Sequence, residues 1–525
     1  MPMQLDKTRD PLVRFRDGAW IARGDRAMPL VDTTIDVRIL GGLAIVRTAR
    51  IFVNAEDRSI EATITFPVPV HATIVALTAA VDGRLLVGRA QRRQAARETY
   101  EGAIDAGKTA VLHEEALRGV HVLSVGHIPP GKDIVVTSTW AMPLSRHASG
   151  ATLRIPVTVG DIFGRSPLPD SDDLIHGPAP QSASLTVTCD PGVAAFRDAT
   201  LINGSARVLL DRPIDLVLPN WTARALRGVG ADGRMVTLDI VPAGGEDAPI
   251  DAVLLLDQSG SMAEAAGAGY PEFGGAWGAR SKHQVMVEGV SRMMGAMRPR
   301  DVVRLWQFNT VCEPVASLAG LWGANGGTSI GAALAAVVRH SDARDIAIVT
   351  DGKSHDIAVQ ALARSGRRFT AILVGEDSLD AYVGHLAALT GGQIFVVPGH
   401  GSAQAIMAAC DAMRRPHVVQ KAIAGAPVEV VARSGGMEIR ARWSQDEDGA
   451  TAIDGDNAGV IGAVAAAMAI PHMAAAEAAD LAEAHGIVCH LTSLVMVDEA
   501  AEAQEGIPAQ RKVALMTPAT ARAAG

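Results

Sequence analysis

Asp257, Ser259 and Ser261 alternate along Asp257-Gln258-Ser259-Gly260-Ser261, directly after the apolar run Val253-Leu254-Leu255-Leu256. In a locally extended loop this spacing lets one carboxylate and two hydroxyls converge on a point. Thr328 follows Gly326-Gly327 at the start of an expected helix, and Asp351 closes the apolar run Ile346 to Thr350. All five are hard oxygen donors and none is a soft ligand. That chemistry suits Mg²⁺, which takes small octahedral oxygen coordination and keeps waters, and disfavours Zn²⁺. Asp-x-Ser-x-Ser alone is weak, arising by chance in about one chain in ten of this length. Asp257 could equally cap the next helix. The pattern gains force because Gly-Gly-Thr and Thr-Asp-Gly fall at the same expected edge of one sheet, where ligands of open parallel sheets bind.

The elements that must place these residues read as alternating strands and helices. Ala252 to Leu256, Val302 to Phe308, Ile346 to Val349, Phe369 to Val374 and Ile394 to Val397 are near-continuous apolar runs. Between them lie helical stretches at 281–297, 329–340, 379–389 and 403–413, which predicts a mostly parallel sheet covered on both faces. The text before residue 145 is strand-like, with one helical island from Gln91 to Asp105 ended by Gly107. This predicts an antiparallel β-sandwich carrying one helix. More short strands follow up to about 245. After 415 come two strands, an alanine-rich helical tract that Pro471 should break, and a last strand Leu494-Val495-Met496-Val497.

The fold class expected is therefore multidomain α+β and α/β. Its parts are a sandwich at 1–147, a β-rich connecting module at 148–247, a doubly wound α/β domain at 248–414, and a β-rich and helical module at 415–525. At 525 residues, the length alone predicts about three domains. With 48% hydrophobic and 20% charged residues the composition is globular. The net charge of −9 argues against nonspecific nucleic-acid binding. Four distant cysteines form no CxxC pair, so reduced thiols are expected. No apolar run follows the first charges and no stretch reads as a membrane span, so a cytoplasmic location without membrane insertion is expected.

Residues 250–410 resemble a von Willebrand factor type A domain, with Asp257, Ser259, Ser261, Thr328 and Asp351 matching its metal-ion-dependent adhesion site. The resemblance implies a bound divalent ion, usually Mg²⁺ with Mn²⁺ or Ca²⁺ as alternatives, and a partner protein whose Asp or Glu completes the coordination shell. One departure is a long insertion after Ser261. It could bring Glu264 or Glu272 to cap the metal, present Tyr270, Phe273 and Trp277 to a partner, or be a glycine-rich loop without either role.

The N-terminal part resembles the vault/inter-alpha-trypsin (VIT) domain. The resemblance is carried by Phe66-Pro67-Val68-Pro69, Ala96-Arg97-Glu98-Thr99-Tyr100, Ala106-Gly107-Lys108, and Ser124 to Gly131. The stretch His485 to Asp498 is similar to the ending of proteins that pair these two domains, although Leu491-Thr492-Ser493-Leu494 lacks the aromatic often found there. Together they imply a bacterial-type architecture like that of the inter-alpha-trypsin inhibitor heavy chain.

Three functions follow as expectations. The first is a non-enzymatic adaptor using a metal-dependent contact with a partner carboxylate. The second is a structural scaffold of a homo- or hetero-oligomer in which the metal merely staples loops. The third, a metal-assisted hydrolase, has only His283 and His355 as candidate bases. His113-Glu114-Glu115 lacks the second histidine of a zinc-protease motif, and no phosphate loop or nucleophile elbow occurs. On the VIT helix, Arg97 is expected to pair with Glu101 on a solvated face, and Tyr100 to pack inward.

Overall fold

The computed structural model describes two short strands, Leu12–Arg16 and Ala19–Ala22, and residues 26–522 except 148–149, 163, 191–193, 197–199, 220, 245–247, 268–279, 398–401, 416–427, 445–450 and 453–457.

Long alternating strands near the N-terminus make the sandwich. A seven-stranded sheet runs Ser205–Leu209, Ser182–Asp190, Leu30–Leu40, Leu43–Val53, Asp133–Pro143, Thr73–Val81 and Arg84–Val87. A six-stranded sheet runs Ala509–Val513, Ile60–Pro67, Val120–Ile128, Ala110–Leu117, Thr492–Val497 and Arg89–Arg92. Their apolar faces share one core, to which Ile45, Phe52, Ile64, Leu123, Ile134 and Leu494 all contribute. Alternation along each strand sends every second side chain inward, which is why these runs are half apolar.

Segments distant in sequence complete this sandwich. Thr492–Val497 lies between two N-terminal strands and pairs antiparallel with both. Ala509–Val513 runs parallel to Ile60–Pro67 at the sheet's edge. Glu429–Ser434 and Met437–Ser444 instead join Met235–Pro242 in a five-stranded sheet. The chain after 415 is thus spread over several sheets rather than gathered into one. Pro471 sits in a 3₁₀ turn, Ile470–His472, separating helices Ala458–Ala469 and Ala475–Ala484.

Helix Arg93–Asp105 buries Ala96, Tyr100 and Ala103 against the six-stranded sheet. Tyr100 donates its hydroxyl to Glu61 at 2.5 Å. Arg97 pairs with Glu114 of the sheet at 2.9 Å, where i,i+4 pairing with Glu101 was expected. Glu114 is buried and the more demanding partner, since a buried carboxylate must be paired. All four cysteines are free.

The doubly wound unit has six strands in the order Cys312–Val315, Val302–Phe308, Asp251–Asp257, Asp345–Thr350, Arg368–Val374 and Ile394–Val397. All pairs are parallel except the edge hairpin of Cys312–Val315 with Val302–Phe308. On the central strand, Val253 and Leu255 face a core with helix Ile330–His340. Ala252, Leu254 and Leu256 face the opposite core, with Lys282–Gly295 and Ser402–Met413. Both faces are covered, which explains the continuous apolar runs. Chain order reverses between Asp251–Asp257 and Asp345–Thr350, so a ligand crevice is expected beyond their carboxyl ends.

Candidate metal centre

Asp257 and Asp351 stand at that crevice, one ending its strand and the other directly following the neighbouring strand. Both are fully buried. The Asp257 carboxylate accepts the Ser259 backbone N–H at 2.8 Å and the Thr350 hydroxyl at 2.6 Å. The Ser259 side chain also favours the charged form of Asp257, and the Ser261 side chain that of Asp351. The two serine Oγ atoms lie 3.2 Å apart. Two buried carboxylates and a pair of hydroxyls therefore gather at the switch point.

Thr328 is buried at the entrance to helix Ile330–His340. Its loop is tied to the serine loop by two backbone bonds, Gly260 N–H to Gly326 O at 2.9 Å and Asn325 N–H to Gln258 O at 2.8 Å. Gly326 takes φ +81°, a left-handed conformation that suits glycine.

Burial, followed by repulsion from Asp351, pushes the Asp257 carboxyl above its ordinary range. Burial would do the same to Asp351, but Lys353 and Lys282 outweigh it and hold Asp351 low. These lysines, together with Asp377, escaped the sequence reading. Lys282 Nζ lies 3.2 Å from Asp351 Oδ2 and 2.9 Å from Asp377 Oδ1. Lys353 Nζ lies 3.2 Å from Asp351 Oδ2 and 2.7 Å from Asp377 Oδ2. Asp377 follows the next strand, Arg368–Val374, so the rule that singled out Asp351 could have found it.

Glu264 is described, and its Oε2 meets Lys282 at 2.8 Å and Lys353 at 3.5 Å. Tyr270, Glu272, Phe273 and Trp277 lie outside the described residues. His283 Nε2 is 2.9 Å from Gln258 Oε1, and His355 Nδ1 is 3.0 Å from the Tyr382 hydroxyl. Each candidate base thus has an uncharged hydrogen-bond neighbour and no hydrogen bond to either serine.

The donor set fits a hard divalent ion. Asp351 Oδ1 is buried with no hydrogen-bond partner, an arrangement that costs free energy unless something else satisfies it. Among the described residues, no group of three or more His, Cys, Asp or Glu forms a metal site. A set resting on two carboxylates with hydroxyls is a different kind of site. No helix among the described residues is long and apolar enough to cross a membrane.

Fold and site define a two-sheet β-sandwich joined to a doubly wound α/β domain with an oxygen-donor cluster at its switch point. Residues 30–139 match the vault protein inter-alpha-trypsin domain, so this part of the chain is a VIT domain. The human von Willebrand factor A domain-containing protein 5A is 32% identical over 126 residues, covering 24% of this chain and 16% of that protein. The mouse protein mono-ADP-ribosyltransferase PARP4 is 29% identical over 132 residues, 25% of this chain and 7% of that protein. The chain thus matches under a fifth of either relative's length. A solved von Willebrand factor type A structure from Catenulispora acidiphila covers 43% of this chain and 63% of its own, at 16% identity and a TM-score of 0.30.

Proposed function

We propose that this chain is a non-enzymatic interaction protein whose type A domain binds a partner through a divalent ion, Mg²⁺ by preference and Mn²⁺ or Ca²⁺ as substitutes. Asp257, Ser259, Ser261, Thr328 and Asp351 would hold the ion. The observation that carries this reading is the buried, unpartnered carboxylate oxygen Asp351 Oδ1 at the same strand ends as the buried Asp257 and the paired hydroxyls of Ser259 and Ser261. When bound, the ion supplies an electrophilic position for an anionic oxygen. A partner Asp or Glu is the natural donor, because it completes an oxygen shell around a partly dehydrated cation. The protein's own part is to fix the oxygens and tie the two loops together. The transferase activity in one relative's name belongs to that protein.

A scaffold is the second reading, favoured by the C-terminal strand Thr492–Val497 being woven into the N-terminal sheet. Hydrolysis is disfavoured because His283 and His355 face Gln258 and Tyr382. Affinity capture from the native cells, with Mg²⁺, with EDTA and with Thr328→Ala, separates adaptor from scaffold. The adaptor loses its partner in the last two while staying folded. A scaffold keeps the same partners in all three, and its melting temperature falls with EDTA.

A further inference from the structure

Behind the candidate metal site lies a knot of two ammonium groups and three carboxylates. Lys282 is fully buried and Lys353 is 4% exposed. Both reach Asp351, Asp377 and Glu264, at distances from 2.7 to 3.5 Å. Burying an ammonium is costly unless charged partners surround it, so two together are a strongly constrained arrangement. Asp351 is divided by it. Its Oδ2 faces both lysines, whereas its Oδ1 has no hydrogen-bond partner.

We propose that Lys282 and Lys353 are resident cations of the metal site, positioning residues that grip Asp351 by Oδ2, leave Oδ1 to the ion, and hold the carboxylates together when no ion is bound. This rests on the metal reading above and adds to it a cause for the geometry and an ion-free state. With every group ionised, the four carboxylates of Asp257, Asp351, Asp377 and Glu264 outnumber the two ammonium groups by two. A divalent cation cancels that excess and a monovalent one leaves half of it.

The backbone leaves the knot no slack. Gly375 has φ +106°, and a Cβ there would lie 2.6 Å from Lys282 Cε. At Gly160, from the connecting segment, a Cβ would collide with Asp377 Oδ2 and Lys353 Nζ. The Gly160 N–H also donates to the Asp377 carbonyl at 3.0 Å. The grip on Asp351 is therefore held from both the type A domain and the module before it.

The test uses the full chain, Mg²⁺ alone as the probe, and melting curves in EDTA and in Mg²⁺. Wild type should remain folded in EDTA. Lys353→Met and Lys282→Met should each lower the first melting transition in EDTA by roughly 5–15 °C. Mg²⁺ should recover more of that loss than it adds to wild type, because the ion then replaces a missing charge. A purely packing role would give the same loss in EDTA and Mg²⁺, and that result overturns the proposal. Glu264 is part-exposed, so Glu264→Gln should fold even where the lysine variants do not. It should weaken Mg²⁺ binding by about three- to tenfold by removing a nearby negative charge, and unchanged affinity in it counts against the charge balance. If calorimetry finds no Mg²⁺ binding to wild type, the metal reading fails. The resident-cation role, which rests on that reading, falls with it; the role alone fails when wild type binds Mg²⁺ but the lysine variants lose as much stability in Mg²⁺ as in EDTA.

Discussion

The Thr350 hydroxyl donates to Asp257 Oδ2 at 2.6 Å, joining the two strands on either side of the switch point. Thr350 Oγ1 also accepts the Gly352 N–H at 3.1 Å, so one side chain sets the position of Asp257 and the turn that carries Asp351. The candidate site is thus fixed by a residue that is not among its ligands. Thr350→Val keeps the shape and removes both bonds. It should cost about 1–3 kcal/mol, the usual penalty for leaving buried polar groups unpartnered. Urea denaturation of the variant checks this, and a loss under about 0.5 kcal/mol would show the bond to be dispensable.

Truncation before residue 490 should destroy the VIT sandwich, although the family match ends at 139. Removing Thr492–Val497 takes an interior strand from the six-stranded sheet and bares the backbone of Ala110–Leu117 and Arg89–Arg92. A fragment ending at 489 should lose its cooperative transition in circular dichroism. A sharp, wild-type-like transition would mean the strand merely decorates the sheet.

Acid should destabilise the chain through histidines buried in the sandwich. Burial lowers His121 to about 3 and His113 well below its ordinary value. Both stay neutral in the folded chain while the unfolded chain protonates near 6.5. Their stabilisation is therefore complete above about pH 6.5 and is lost as pH falls towards the folded values, by up to about 1.4 kcal/mol per group per pH unit. Neither ring nitrogen of His113 has a hydrogen-bond partner. His113→Leu should accordingly be tolerated at pH 7.5 and should flatten the dependence between pH 7 and 5. Urea melts across that range test it, and a slope as steep as wild type's would contradict the assignment.

The part-buried contact of Tyr100 with Glu61 anchors the VIT helix to its sheet. Tyr100→Phe should cost about 1.5–3 kcal/mol, as expected for a hydrogen bond to a charged group. Thermal denaturation measures the loss, and an unchanged transition would show the helix to be held by apolar packing alone.

The legible parts of this molecule were those with local signals. Unbroken apolar runs between helices announced the parallel sheet, because both of its faces are covered. Asp257, Ser259 and Ser261 were visible because the loop keeps them within five residues. Strand partnership was not legible in the same way. Nothing in the alternation of Thr492–Val497 says that its neighbours begin at residues 89 and 110, since pairing there depends on closing a loop of hundreds of residues. The lysines were missed for a related reason. Lys282 and Lys353 look like ordinary solvated cations in sequence, and only the fold reveals that Asp351, Asp377 and Glu264 surround them. Arg97 shows the same limit, because local helical spacing favoured Glu101 and the buried Glu114 took the guanidinium.

The central claim is that Asp257 and Asp351 hold a divalent ion with Ser259, Ser261 and Thr328. Calorimetric titration of Mg²⁺ into EDTA-stripped, full-length wild type and Asp257→Ala addresses it most directly. The account predicts one ion per wild-type chain and at least about tenfold weaker binding in the variant, since one of the two carboxylates of a hard-oxygen site is lost. Equal heats and equal affinity for the two proteins would contradict it.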